Sequence, residues 1–188
     1  SDFFGAHVCG YEPRDGMCDP DGLGRVQSMD LEQPNFGKNR FDFIACLEGL
    51  QDMKSRERVL QAASDALRPG GQMVIVDTVG NYEGGNLLSS DQAARAAGFG
   101  ARVMPPGLYG KLVYDCGLQV EAEKSISSTY AFRTIRGLAS AIQKMKQRKL
   151  SAESKKLLQA ESLKAFARVT ALRTGQARML RMIMTKQG

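Results

Sequence analysis

The stretch from Phe41 to Val76 constrains the fold of this 188-residue chain more than any other. It opens with Phe41-Asp42-Phe43-Ile44-Ala45-Cys46-Leu47, an apolar run of strand length. Between Ser55 and Leu67, the residues Val59, Leu60, Ala63, Ala66 and Leu67 recur at intervals of three and four. That spacing aligns them on one side of a helix. Arg68-Pro69-Gly70-Gly71 is expected to end the helix, because proline cannot continue it and glycine supplies a left-handed turn. Gln72 to Val76 is a second apolar run, of the kind that suits a parallel sheet covered on both faces. Strand, helix, turn and strand in this order are the working unit of an open α/β sheet.

Reading outward extends the pattern. Ala6 to Tyr11 reads as a short buried strand, and Arg25 to Met29 as another that ends at Asp30. Glu12 to Gly24 between them is turn-rich, with Asp-Gly and Asp-Pro pairs that break regular structure. Gly80 to Pro106 is rich in glycine and small residues, with a short helix expected at Asp91 to Ala97. Pro106 begins a helix through Leu112 to Asp115, closed by Cys116-Gly117. Leu118 to Ile126 is a strand with alternating apolar positions. Ile135, Leu138, Ala139, Ile142 and Met145 mark one amphipathic helix, and Leu157, Leu158, Leu163, Phe166, Val169 and Leu172 a second. Lys144 to Lys156 reads as a solvated hinge between them. Gly175 breaks the second helix, and Ala177 to Thr185 alternates like a half-buried final strand.

Composition narrows the class. An apolar share of 43% allows a sizeable core, and the length suits a single domain over residues 1–188. There is no apolar run of eighteen residues and no secretory signal pattern at Ser1 to Gly5. Cys9, Cys18, Cys46 and Cys116 form no CxxC pair and His7 is the sole histidine, so no metal site is expected. They read as buried free thiols of a cytoplasmic protein. From Arg133 onward there are 14 basic residues and only Glu153 and Glu161 as acids. That imbalance points to an anionic membrane surface or a protein partner for the C-terminal helices, or to a solvated helix face. Nucleic acid is less favoured, because no aromatic residues interleave with the charges.

Two motifs at the right separation carry a resemblance. Phe41 to Met53 resembles the fourth motif of class I S-adenosylmethionine-dependent methyltransferases, and Ala66-Leu67-Arg68-Pro69-Gly70-Gly71-Gln72-Met73-Val74-Ile75 resembles the motif that follows it. Val8 to Met17 is similar to the second motif, and Ser28 to Leu31 to the third. Leu112 to Val120 looks like the family's entry to its sixth strand, and Ala177 to Lys186 like its antiparallel seventh. The resemblance implies a Rossmann-like α/β sheet, mostly parallel with an antiparallel last strand. Residues 133–175 would be a helical insertion or lid before that strand.

The resemblance also implies roles. Glu12, with Pro13 and Met17, would hold the ribose of S-adenosylmethionine, since a carboxylate can accept two hydrogen bonds from a vicinal diol. Met29, Asp30 and Leu31 would frame the adenine. Cys46, Leu47 and Glu48 would lie by the methionine portion, at the carboxyl edge where open sheets bind ligands. Glu48 and Asp77 are the candidates for an acid or base, and Gln51 and Tyr109 for orienting the acceptor. His7 begins a strand away from that edge and is a poor base.

The family's glycine-rich first motif is absent, since only six residues precede His7. Either these residues are part of a longer chain, or the fold is degenerate and no longer holds cofactor. The expected function is methyl transfer to a small, hydrophobic or lipid-like acceptor. The alternative is a non-catalytic methyltransferase-like subunit of a larger assembly. A nucleic-acid methyltransferase is disfavoured, because Cys46-Leu47-Glu48-Gly49 stands where an N/D-P-P-Y-like motif would be.

Overall fold

The computed structural model describes residues 8–12, 26–53, 55–80, 94–95, 99, 103–146 and 150–188. In chain order these form β1 (Gly10–Glu12), β2 (Val26–Ser28), β3 (Phe41–Leu47), a single 3-10 turn (Leu50–Asp52), α1 (Arg56–Ala66) and β4 (Leu67–Gly80). There follow α2 (Pro106–Asp115), β5 (Leu118–Ser125), α3 (Ser127–Lys146), α4 (Ala152–Arg173) and β6 (Ala177–Lys186). Of the helix expected at Asp91 to Ala97, only Ala94 and Arg95 lie within the described residues.

The strands pair in two sets. β1 and β2 form a parallel pair, and β3, β4, β6 and β5 form a sheet in that order. β3 and β4 are parallel, while β6 runs antiparallel to both of its neighbours. This is the expected α/β architecture, with one antiparallel strand among parallel ones.

One face of the larger sheet carries the main core. Met73, Ile75 and Val79 of β4 project to the same side, as alternate strand residues must. There they meet Val59, Leu60 and Ala63 of α1, Tyr109 and Val113 of α2, and Leu180, Met182 and Met184 of β6. Burying one such large side chain stabilises the fold by about 1.5–3 kcal/mol. A smaller core on the other face joins Ala171 and Leu172 of α4 to Ala177 and Met179, with Phe99 and Val103.

Several local expectations are corrected. The helix does not run into a glycine cap. It stops at Ala66, and Leu67 is already extended, with φ −69° and ψ 143°. Leu67 pairs with Phe41 and its side chain is fully buried, so the sheet takes that residue from the helix. Gly70 does adopt a left-handed φ of 74°, but within an irregularity of β4. A Cβ at Gly71 would stand 2.8 Å from the Arg68 carbonyl oxygen, so this bulge requires a residue without one.

β1 lies later than expected, and the residues before it are not buried: Val8 is 66% exposed and Cys9 is exposed as well. Three parallel pairs give this short segment too little cover. β6 is more deeply buried than a half-exposed strand, with Ala177, Met179, Leu180, Met182 and Met184 all in the interior. Its place between β4 and β5 gives it neighbours on both edges. β5 is the converse. Only Leu118 is buried, because β5 is an edge strand.

Candidate functional site

The sequence-derived residues gather in two groups, each built where parallel strands end. The first is at β1 and β2. Glu12 pairs in register with Ser28, and the Met29 amide donates to the Glu12 carbonyl at 3.1 Å. Glu12 and the segment Met29-Asp30-Leu31 therefore leave the two strands at the same edge. Asp30 turns the chain there, its Oδ1 accepting from the Glu32 amide at 2.9 Å. Met29 and Leu31 are partly buried against the main core, as is Tyr11, whose ring lies 5.1 Å from that of Phe36. This arrangement brings two acidic and two apolar residues to one edge of the strand pair. Pro13 and Met17 lie outside the described residues.

The second group surrounds the end of β3. Side chains alternate along the strand. Cys46 faces inward, while Leu47 is 67% exposed on the opposite side. Burial raises the Cys46 thiol to about 11, with the nearby Asp77 carboxylate adding to the rise. The amides of Gly49 and Leu50 act against it. Such a thiol is protonated and unreactive at neutral pH.

Asp77 does not sit at a strand end as expected. β4 continues through Gly80, which bonds to the Met104 carbonyl, so Asp77 is an interior strand residue and 1% exposed. Its Oδ2 accepts from the Tyr109 hydroxyl at 3.0 Å and its Oδ1 from the Thr78 amide at 2.9 Å. Tyr109 is buried as well, and burial together with the Asp77 charge holds its hydroxyl well above the ordinary tyrosine range. The structure thus joins two candidates for different roles, a base and a substrate-orienting residue, in one hydrogen-bonded pair below the sheet edge.

Glu48 ends β3 with φ at +58°, a conformation non-glycine residues seldom adopt and one often found at functional positions. Its amide donates to the Val76 carbonyl at 2.7 Å. Its Oε2 accepts from the Tyr130 hydroxyl of α3 at 2.6 Å. Partial burial and the Glu48 carboxylate raise the Tyr130 hydroxyl to about 12.

Gln51, in the turn after Glu48, is buried, and its Oε1 has no hydrogen-bond partner among the described residues. An orphaned buried acceptor is unusual and calls for a donor. Arg56 fixes this turn from α1. Its Nε donates to the Leu50 carbonyl at 2.8 Å and its Nη2 to the Gln51 carbonyl at 2.7 Å.

Tyr130 and Arg56 were not legible as site residues. Arg56 reads as an ordinary first-turn residue of a helix. Tyr130 lies 82 positions from its partner, and only its hydroxyl, on an otherwise amphipathic helix, could have marked it. No group of His, Cys, Asp and Glu suited to a metal occurs among the described residues. No helix among them is long and apolar enough to cross a membrane.

A methyltransferase-domain family profile matches residues 2–75, the segment that holds both groups apart from Asp77, Tyr109 and Tyr130. No curated protein matches the chain by sequence. Solved structures do match by fold. One is a candidate sarcosine dimethylglycine methyltransferase from Galdieria sulphuraria, with TM-score 0.69 and 18% identity over 86% of this chain and 59% of that one. Another is the Haemonchus contortus phosphoethanolamine N-methyltransferase 2, bound to phosphomonomethylethanolamine and S-adenosylhomocysteine. Its TM-score is 0.71 and its identity 13%, over 89% of this chain and 39% of that one. A third is the [4+2]-cyclase SpnF, with TM-score 0.61 and 16% identity over 88% of this chain and 57% of that one. The chain thus spans 59% or less of the length of these three structures. By its fold, and by the match of residues 2–75 to a methyltransferase-domain profile, this chain is similar to S-adenosylmethionine-dependent methyltransferases of Rossmann-like architecture.

Proposed function

We propose that this chain forms the greater part of an S-adenosylmethionine-dependent methyltransferase acting on a small, hydrophobic or lipid-like acceptor. The observation that carries this reading is the pairing of Glu12 with the Met29-Asp30-Leu31 segment at one edge of two parallel strands. A carboxylate there can accept from both hydroxyls of a ribose, a second can accept from an exocyclic amine, and Met29 and Leu31 offer apolar cover for a flat ring. The partnerless Oε1 of Gln51 fits the same reading, since a polar ligand would supply its donor. When bound, the cofactor supplies an electrophilic sulfonium methyl.

The chain's own part is positioning, which can account for much of the barrier reduction in a displacement of this kind. Cys46, Leu47 and Glu48 would border the methionine portion. Glu48 is the better candidate base, because its carboxylate meets a hydroxyl at the strand tip. Asp77 is enclosed by Tyr109 and would act through it. Gln51 would orient the acceptor, and residues 133–175 would close over it as a lid. A cytoplasmic location belongs to this reading. The Haemonchus enzyme, with its phosphorylated small acceptor, is consistent with it. SpnF, named as a cyclase on the same fold, is the reminder that fold alone does not fix the reaction.

A second reading has its own support. Phe43 and Leu47 on β3, and Phe132, Leu163 and Phe166 on the helices, are all more than half exposed. That much apolar surface suits a non-catalytic subunit held in a larger assembly, or helices resting on an anionic membrane.

Calorimetric titration of S-adenosylhomocysteine into the full chain separates these readings. Methyl transfer predicts binding that weakens at least a hundredfold when Glu12→Ala and Asp30→Ala are combined, since each removes a charge-assisted hydrogen bond of about 1.5–3 kcal/mol. A folded chain that binds no S-adenosylhomocysteine would count against this stretch as a self-sufficient cofactor site and leave either a piece of a longer enzyme or the subunit.

A further inference from the structure

β6 begins opposite the last two residues of β4: Ala177 pairs with Gly80, and Arg178 with Val79. Because β6 runs antiparallel to β4, its first residues stand at the carboxyl end of β4. That is the edge at which the parallel β3 ends and Glu48 follows. Paired residues of neighbouring strands share a face, and side chains alternate along each strand. Arg178 therefore lies on the face of Val79 and Leu180, which is the face of the main core and of Asp77.

Charged residues are seldom buried without a partner. Arg178 is half-buried, and its Nε is buried with no hydrogen-bond partner among the described residues. A buried donor of a charged group is costly to leave unmatched and calls for an acceptor. The acids on the neighbouring strands are engaged elsewhere. Asp77, the diagonal neighbour of Arg178 across the strands, directs its oxygens to the Tyr109 hydroxyl and the Thr78 amide. Glu48 accepts from Tyr130. On the other side of β4, Met104 bridges to Val79, and α2 starts two residues later with no acidic residue in its first turn.

We propose that Arg178 binds an anionic group of the acceptor, a carboxylate or a phosphate, at the carboxyl edge of β4. A guanidinium presents Nε and Nη as a planar fork that matches two oxygens of such a group. Only β4 separates β6 from β3, so Arg178 stands two strand spacings, about 10 Å, across the sheet from the end of β3. An acceptor held at Arg178 by one end therefore needs only a short chain to bring its other end toward Glu48. The inference rests on the reading of this edge as the reacting edge. It adds that the acceptor is anionic at one end, and it names the residue that holds that end.

The test has two parts, both on the full chain. In urea unfolding without ligand, Arg178→Met keeps an apolar stem and removes the unmatched donor, so its midpoint should equal or exceed that of the wild type. A lower midpoint would show that the guanidinium has a partner within the protein, and would overturn the proposal. In calorimetric titration at low salt, hexanoate or hexyl phosphate should bind at least about tenfold tighter than hexanol. Arg178→Met should lose that advantage and leave hexanol unchanged. Arg178→Lys, which keeps the charge without the fork, should retain part of it. A preference for one of the two anions would identify the group that Arg178 takes. Anions that bind no tighter than hexanol, or that bind wild type and Arg178→Met alike, would overturn the site. S-adenosylhomocysteine is titrated separately: an intact anion pattern in a chain that does not bind it would leave the Arg178 site standing and count against the cofactor site instead.

Discussion

The face of the sheet under α1 and α2 and the hairpin of α3 and α4 solve the burial problem differently. On the sheet, apolar residues fall in strict alternation and every large one finds a neighbour. Leu60, Leu67, Ile75, Val113 and Met184 are fully enclosed. On the hairpin the same residue types recur at helical spacing, but much of the apolar surface faces out. Phe132 is 60% exposed and Phe166 67%. Around α4 the apolar residues point in all directions: Leu172 and Val169 pack inward, while Leu163 and Phe166 do not. A sheet face has one side to cover, and two helices suffice here. A two-helix hairpin standing off a sheet has more surface than its own contacts can bury. The first region is therefore closed by its own contacts, and the second leaves apolar surface exposed.

Substitutions can test that contrast. The largest effect belongs to the core. Leu60→Ala should cost about 2–5 kcal/mol in urea unfolding, as expected for a fully enclosed leucine. A loss below 1 kcal/mol would mean that the sheet face is not the stable part.

The junction between the regions should be intermediate. Tyr130→Phe removes the bond to Glu48 and should cost about 1 kcal/mol at neutral pH. It also has a pH signature. The fold raises the Tyr130 hydroxyl from 10.0 to about 12, so the neutral form is favoured in the folded state. That contribution is fully present below pH 10 and is lost as pH rises through 12. The wild-type chain should lose stability over that window faster than Tyr130→Phe, and parallel curves would contradict the contact.

The smallest effect belongs to the hairpin surface. Phe166→Ser should change stability by no more than about 0.5 kcal/mol, as surface substitutions do. A loss near that of Leu60→Ala would show that the exposed face is covered in solution, which would favour the subunit reading.

Most of the larger sheet was legible because its signals are local. β3, α1, α2 and β6 follow from apolar periodicity within ten or so residues, and Gly175 does end α4, with φ at +75°. The errors fell where pairing overrides local chemistry. Pro69 and Gly70 read as a helix stop, but the backbone of Leu67 had already gone to Phe41. Asp77 read as a strand end, but β4 extends to Gly80 along β6. The site divides in the same way. Glu12, Asp30 and Glu48 could be named as candidates because they stand at strand ends within motifs that resemble those of the methyltransferase family. The contact of Tyr130 depends on how a helix leans on a sheet, and no short stretch of sequence contains that angle.

The position of β6 has a consequence for how the chain is made. It lies between β4 and β5, yet it is synthesised after both. On the ribosome, β4 emerges with one partner, β3, and β5 with none in its sheet. Neither can complete its hydrogen bonds until roughly fifty further residues have followed β5 and threaded the gap. During that interval the facing edges of β4 and β5 stand open. β6 is thus the keystone of these four strands, and a chain interrupted before it would carry two open strand edges.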